Sequence, residues 1–222
     1  ISGGLVVLSK ADLVQDDEWL SLVKDDINTL LADTVLAGAP VVPVSARQGT
    51  GLDVLAAALA ELLAARPARV DLGRPRLPID RAFTVEGFGT VVTGTLLDGA
   101  LSIGDPVEVQ PAGYSGRVRG LQNHNRKLDS AQPGGRTAVN ISGLAVDEVR
   151  RGDVLGLPGS FKPTRRMDVQ VQVLPDASTG LLHNTALKLF IGSAERLARV
   201  RVLAVEALQP GETGWLQLEL RE

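Results

Sequence analysis

The apolar positions of this chain change period partway along it. Residues 4–8 and 40–44 are short continuous apolar runs, the pattern of parallel strands covered on both faces. Between and after them the spacing turns helical. Trp19, Val23, Ile27, Leu30 and Leu31 share one face, with Asp16, Asp17 and Glu18 at the start, where acids favour a helix N-terminus. Leu52, Leu55, Leu59, Leu62 and Leu63 follow Gly49-Thr50-Gly51 and predict a second helix ending near Arg66-Pro67. Strand, helix, strand, helix is half of a parallel sheet. Two strands bury too little for a doubly wound core, so further strands are expected upstream of residue 1.

Residues 67–78 contain Pro67, Gly73, Pro75 and Pro78 without helical period, the composition of a linker. From residue 79 the apolar runs become short and are broken by glycine and proline. Strands are predicted over residues 90–97, 107–110, 116–121, 137–141 and 154–157, a spacing that argues for a closed barrel or a sandwich. A second β unit is expected from about Arg165, with strands over 167–173, 186–190, 198–205 and 215–220. Its strands are few, and chain beyond Glu222 would complete it. The expected fold class is therefore multi-domain, α/β followed by all-β. A partial α/β domain covers 1–66, a linker 67–78, one β-barrel 79–160 and a second 161–222.

Composition narrows the chemistry. The chain has no cysteine, which excludes disulfides, thiolate-bound zinc and iron–sulfur clusters. Aromatic residues are only 3%, too few for base stacking to be the main mode of RNA contact. The opening apolar run is too short for a membrane span and has no basic flank, so the cytoplasm is the expected compartment. Asn140-Ile141-Ser142 fits a glycosylation sequon, which without a secretion signal is read as coincidence. Net charge is −3, unevenly spread. Residues 1–66 carry nine acids and four bases, whereas 115–166 carry ten bases and four acids. A local excess of that size suits phosphates, although scattered surface charge would produce the same count.

Two loops carry candidate chemistry. Ser9-Lys10-Ala11-Asp12 follows the first predicted strand, and Ser45-Ala46 follows the second. Together they resemble the pair of loops that reads guanine in GTPases, and the resemblance implies a role for each residue. The Asp12 carboxylate would accept from the base N1–H and N2–H₂, the Lys10 stem would cover the ring, and a backbone N–H at Ser45-Ala46 would meet O6. Ser9 stands where the GTPase loop usually has asparagine, a departure familiar among translational GTPases that weakens the loop's own hydrogen bonding. Either segment alone is a weak signal, and Lys10-Ala11-Asp12 reads also as a helix-capping turn; their pairing after successive strands is what favours guanine. No Gly-x-x-x-x-Gly-Lys-Ser/Thr loop occurs to cradle phosphates, and no Asp-x-x-Gly precedes Ser9. Gly87-Phe88-Gly89 lacks the third glycine and following helix of a dinucleotide site, and reads as a hairpin turn.

Residues 79–95, 132–143 and 149–155 resemble the second domain shared by elongation factor Tu and its relatives. Residues 182–185, 192–201 and 208–212 resemble the third domain of the selenocysteine-specific, SelB-type branch, as does the wording Asp80-Arg81. The resemblance covers nearly the whole chain. It implies part of a translational GTPase, with the phosphate-binding portion upstream and a winged-helix, mRNA-reading region downstream. The longer protein would use GTP/GDP with Mg²⁺ and deliver selenocysteyl-tRNA to the ribosome; this chain alone would not hydrolyse GTP. A monomer with no membrane partner is expected.

By the same resemblance, Asp80, Arg81 and Arg136 line the aminoacyl pocket, and His124 falls near the 3′ end of the tRNA. A selenol is more acidic than a thiol, whose pKa is about 8.5, so two arginines would favour its anion over neutral serine. The local alternatives are an ordinary strand-edge ion pair for Asp80-Arg81, a solvated loop arginine for Arg136 and a surface residue for His124. Two other functions compete: a different elongation factor Tu-like GTPase, and a non-catalytic β-barrel module that binds tRNA or the ribosome.

Overall fold

The computed structural model describes residues 3–14, 16–67 and 69–220. The chain divides into two compact units, residues 1–68 and 69–222.

In the first unit, β1 (Val6–Leu8) lies parallel to β2 (Val41–Pro43), with Val7 opposite Val42. Helix α1 (Asp17–Leu31) begins where the Asp16 carboxylate accepts from the backbone N–H groups of Glu18 and Trp19, at 2.9 and 3.4 Å. That satisfies two of the amides a helix start leaves unpaired. Helix α2 (Leu52–Ala64) starts at Gly51, whose φ of 75° lets its backbone approach the Pro43 carbonyl; a Cβ would collide there. Neither helix buries a residue, and Trp19, Leu30 and Leu63 are all more than half exposed.

The second unit opens with an antiparallel barrel. Its strands are β3 (Arg76–Val85), β4 (Gly89–Thr95), β5 (Leu101–Ser102), β6 (Pro106–Gln110), β7 (Tyr114–Asn123), β8 (Arg126–Leu128), β9 (Ser130–Ala131), β10 (Arg136–Ser142) and β11 (Val154–Gly156). Six of them close a ring in the order β10, β4, β3, β11, β6, β7 and back to β10. Leu77, Ile79, Val92, Leu96, Val107, Val109, Val118, Leu121, Val139, Ile141 and Leu155 fill the interior, each at most 2% exposed. Strand β3 begins at Arg76, inside the stretch whose prolines and glycine suggested a linker.

Two bulges shape this barrel. Ile79 faces Gly94 and Arg81 faces Thr93, so Asp80 is an extra residue in β3. Likewise Asn140 faces Gly120 while Ile141 faces Val118, which makes Arg119 the extra residue of β7. A bulge reverses which side of the strand faces inward. Ile79 therefore points into the core, Ala82 packs against it, and Arg81, Phe83 and Val85 lie on the outer face.

The last β unit comprises β12 (Arg166–Gln172), β13 (Leu181–Leu182), β14 (Ala186–Ile191), β15 (Ala194–Val202), β16 (Ala207–Leu208) and β17 (Thr213–Leu220). A four-stranded sheet, β12-β17-β15-β14, accompanies a two-stranded ribbon of β13 and β16. Val173, Ala198, Val200, Val202, Leu208, Leu216 and Leu218 form its core.

Candidate functional site

The first unit brings its two candidate loops together. The Val44 N–H donates to the Leu8 carbonyl at 2.9 Å, and the Ala11 N–H donates to the Val44 carbonyl at 3.1 Å. Lys10 takes a left-handed conformation, φ 59°, ahead of a 3₁₀ turn over Ala11–Leu13. Ser9 and Lys10 are exposed and Asp12 is half-buried. Ser45 is fully buried; its hydroxyl accepts from the Gln48 N–H at 3.2 Å and its own N–H donates to the Thr50 carbonyl at 2.9 Å. Ser45 thus holds the turn, and Ala46 beside it is exposed.

On the barrel, Asp80, Arg136 and Thr93 form one cluster. Arg136 donates from Nη2 to Asp80 Oδ1 at 2.9 Å and from Nε to Oδ2 at 3.2 Å, a two-pronged pairing that fixes the plane of the guanidinium. The Thr93 hydroxyl donates to Asp80 Oδ1 at 2.6 Å and accepts from Arg136 Nη2 at 3.2 Å. Partial burial pushes the Asp80 carboxyl up. Hydrogen bonds from Arg136 and Thr93, then the charges of Arg136 and Arg81, outweigh it and leave the group below its ordinary value. The pairing correspondingly raises Arg136. Arg81, opposite Thr93, is exposed. Two guanidiniums and one carboxylate give the cluster a net charge of +1, with Asp80 paired to Arg136.

The cluster continues into a groove that sequence reasoning missed. Across the strands, Arg81, Thr93, Ala138 and Gln122 form one row, and Phe83, Val91, Asn140 and Gly120 form the next. Successive rows on one face lie two residues apart, about 7 Å. The second row floors a cavity of about 460 Å³, also lined by Val85 and Phe88 and flanked by Arg119 and Lys127. Asn140 donates from Nδ2 to the Phe88 carbonyl at 2.8 Å, while its solvent-shielded Oδ1 has no hydrogen-bond partner. An unpaired buried acceptor costs free energy unless a ligand donor meets it. The alternation Arg81, Phe83, Val85 was the available signal, but without the bulge it reads as an inward face.

His124 occupies the tip of the β7–β8 hairpin. It and Asn125 both have positive φ, 48° and 60°, as a two-residue primed turn requires. The hairpin stem meets the strand that carries Arg136: a Cβ on Gly135 would stand 2.6 Å from Asn123 Nδ2. His124 is exposed and takes no part in the hydrogen bonds of the Asp80 cluster. The basic residues of 115–166 divide among several surfaces. Arg119 and Lys127 flank the groove, whereas Arg165 and Arg166 line a separate cavity with Arg199 and Glu219.

Residues 89–156, the body of this barrel, match the family model for elongation factor Tu domain 2. With the ring of strands around them, the match defines the class: the chain belongs to the elongation factor Tu superfamily of translation factors. Within it the resemblance is to the SelB type. Over 220 residues the chain is 45% identical to the selenocysteine-specific elongation factor of Desulfomicrobium baculatum, covering 98% of this chain and 34% of that relative. It is 33% identical over 198 residues to elongation factor 1-alpha of Pyrobaculum aerophilum, covering 82% of this chain and 43% of that protein. A bacterial selenocysteine-specific elongation factor, EF-Sec, superposes over 100% of this chain and 35% of its own with a TM-score of 0.85 at 28% identity. The apo form of elongation factor SelB from Methanococcus maripaludis shares the fold, with a TM-score of 0.86 at 24% identity over 99% of this chain and 51% of its own. The chain thus spans about a third of the length of the first of these relatives.

Proposed function

We propose that this chain is the guanine-reading and aminoacyl-end-binding portion of a GTP-dependent elongation factor that carries selenocysteyl-tRNA to the ribosome. The observation that carries the reading is the continuous outer face of β3, β4, β7 and β10, where a cationic cluster adjoins an apolar groove. An aminoacylated 3′ end has this layout. The terminal base fits against Phe83, Val85, Phe88 and Val91. Arg119 and Lys127 attract the phosphates, and the aminoacyl side chain one row along meets Arg81 and Arg136.

Asp80 and Thr93 hold the Arg136 guanidinium by its Nε and Nη2, leaving Nη1 for a ligand. A selenolate gains from Arg81 and Arg136, and the hydroxyl of serine does not. Because the Asp80–Arg136 pair is partly exposed, solvent screening reduces the advantage below that of a buried contact. His124 is assigned to the approach of the 3′ end from the hairpin beside Gly135.

Residues 1–66 are read as the C-terminal part of the GTPase domain, with residues 79–160 and 161–222 as its second and third domains. The joined loops fit a guanine base, with Asp12 as acceptor, Lys10 over the ring, Ser9 and Ser45 shaping the loops, and Ala46 supplying its N–H. The exposed apolar residues of α1 and α2 suit helices that further strands of such a domain would cover. Among the described residues no cluster of three or more His, Asp or Glu could hold a metal ion, so Mg²⁺ is assigned no residue here. No helix of the described residues is long and apolar enough to cross a membrane; the cytoplasm follows from the proposed role in translation.

The test is protection of the aminoacyl ester in the full-length protein with GTP. Wild type should slow hydrolysis of selenocysteyl-tRNA more than of seryl-tRNA. Arg81→Ala and Arg136→Ala should each reduce that preference about threefold to tenfold, the scale of one charge-assisted contact discounted for exposure. Equal protection of both esters would make the protein a general carrier.

A further inference from the structure

The Asp80 bulge is held from a distant part of the chain. Ile79, just ahead of it, donates its N–H to the Asp153 carbonyl at 2.8 Å. Its own carbonyl accepts two hydrogen bonds, from the Gly152 N–H at 2.9 Å and from the Ser193 hydroxyl at 2.7 Å. Ser193 lies in the turn between β14 and β15, 114 residues further along the chain. The approach is close and built from small residues. A Cβ on Gly152 (φ 95°) would stand 3.0 Å from Ala194 Cα, and one on Gly192 (φ 57°) would stand 3.0 Å from Pro78 Cβ.

The carbonyl of Ile79 belongs to the peptide plane that leads into Asp80. Tilting that plane rotates Asp80 and, through its two-pronged pairing, the guanidinium of Arg136. We propose that Ser193 is a positioning residue for the Asp80–Arg81–Arg136 site, so that the β14–β15 turn of the last β unit sets the geometry of the charge cluster on the first barrel. The proposal rests on the functional reading above for its effect on tRNA, but not for its effect on the cluster.

The experiment uses the full-length protein with Ser193→Ala, Ser193→Thr and Gly192→Ala. It reads the NMR resonance of the Arg136 Nε–H, the selenocysteyl-to-seryl protection ratio and the thermal midpoint. Ser193→Ala should move the Arg136 resonance and lower the ratio about twofold to tenfold, the scale of one hydrogen bond. Ser193→Thr, which keeps the hydroxyl, should restore both. Gly192→Ala, which wedges the turn away from Pro78, should move the resonance as Ser193→Ala does. An unmoved resonance in Ser193→Ala would overturn the proposal, as would equal disturbance by the alanine and threonine variants. If wild type shows no preference between the esters, the functional reading fails, and the resonance alone decides whether Ser193 positions the cluster.

Discussion

Asp80 has two hydrogen-bond partners, and each sets part of its behaviour. The Arg136 guanidinium and Thr93 hydroxyl favour its ionised form, and their hydrogen bonds outweigh partial desolvation. A carboxyl lowered on folding stabilises the folded state above its unfolded pKa, and that contribution disappears as pH falls through the lowered value. The window therefore lies on the acid side of the ordinary Asp value of 3.8. A ¹³C titration of the Asp80 carboxyl should show its pKa moving up in Arg136→Ala and, by less, in Thr93→Val. A pKa unmoved in both variants would mean that the cluster does not form in solution. Near neutral pH the carboxylate is fully ionised, so Asp80 holds Arg136 throughout the working range. Asp80→Asn keeps the shape and removes the charge, and under the proposed function should weaken the selenocysteyl preference by loosening Arg136.

At the scale of elements, the barrel depends on close contact between backbones. Gly94 on β4 lies against the Pro78 carbonyl and the Leu77 side chain, and Gly116 on β7 lies against Ile141 and the Ser142 carbonyl. A methyl group at either would separate paired strands. Gly94→Ala should cost about 1–3 kcal/mol, as overpacking does, and urea denaturation of the second unit would measure it. Leu77, fully buried beneath the same contact, should cost about 2–5 kcal/mol when replaced by alanine. An exposed helix position such as Leu63 should lose far less in this chain, because 70% of its surface is already in water.

For the whole molecule, the two units draw on separate sets of residues. Every buried residue of the two β cores lies between Leu77 and Leu218, and none comes from residues 1–68. Residues 69–222 expressed alone should therefore give a dispersed amide NMR spectrum that matches the longer chain outside the boundary. A collapsed spectrum would show that the first unit is needed for folding. Under the proposed function, binding of tRNA should weaken as salt rises, with a slope of about −0.7 to −0.9 per phosphate neutralised. Arg119→Ala or Lys127→Ala should each reduce that slope by about one contact, whereas Arg81→Ala, assigned to the amino acid, should leave it nearly unchanged.

Much of this was legible in the order of the residues. The period change near residue 79, the helix start at Asp16 and the runs that became β6, β10 and β17 are local properties, fixed by spacing, capping and turn chemistry. Asp80, Arg81 and Arg136 were visible as candidates because their neighbours resemble a known family. Which arginine Asp80 would hold was not visible, since Asp80 and Arg136 lie 56 residues apart and only strand pairing brings carboxylate and guanidinium together. Nor was the groove. In β3 Ile79, Phe83 and Val85 share one parity, broken by Arg81, and on that count all three apolar residues belong inside the barrel. The single extra residue at Asp80 reverses the strand's faces and turns Phe83 and Val85 outward beside Arg81. A bulge depends on how two strands register against each other, held here by Gly152 and Ser193, so it is a property of the assembled fold. Local residue order settles which segments can form strands and which carry charge; strand pairing in the assembled fold settles which of them share a surface.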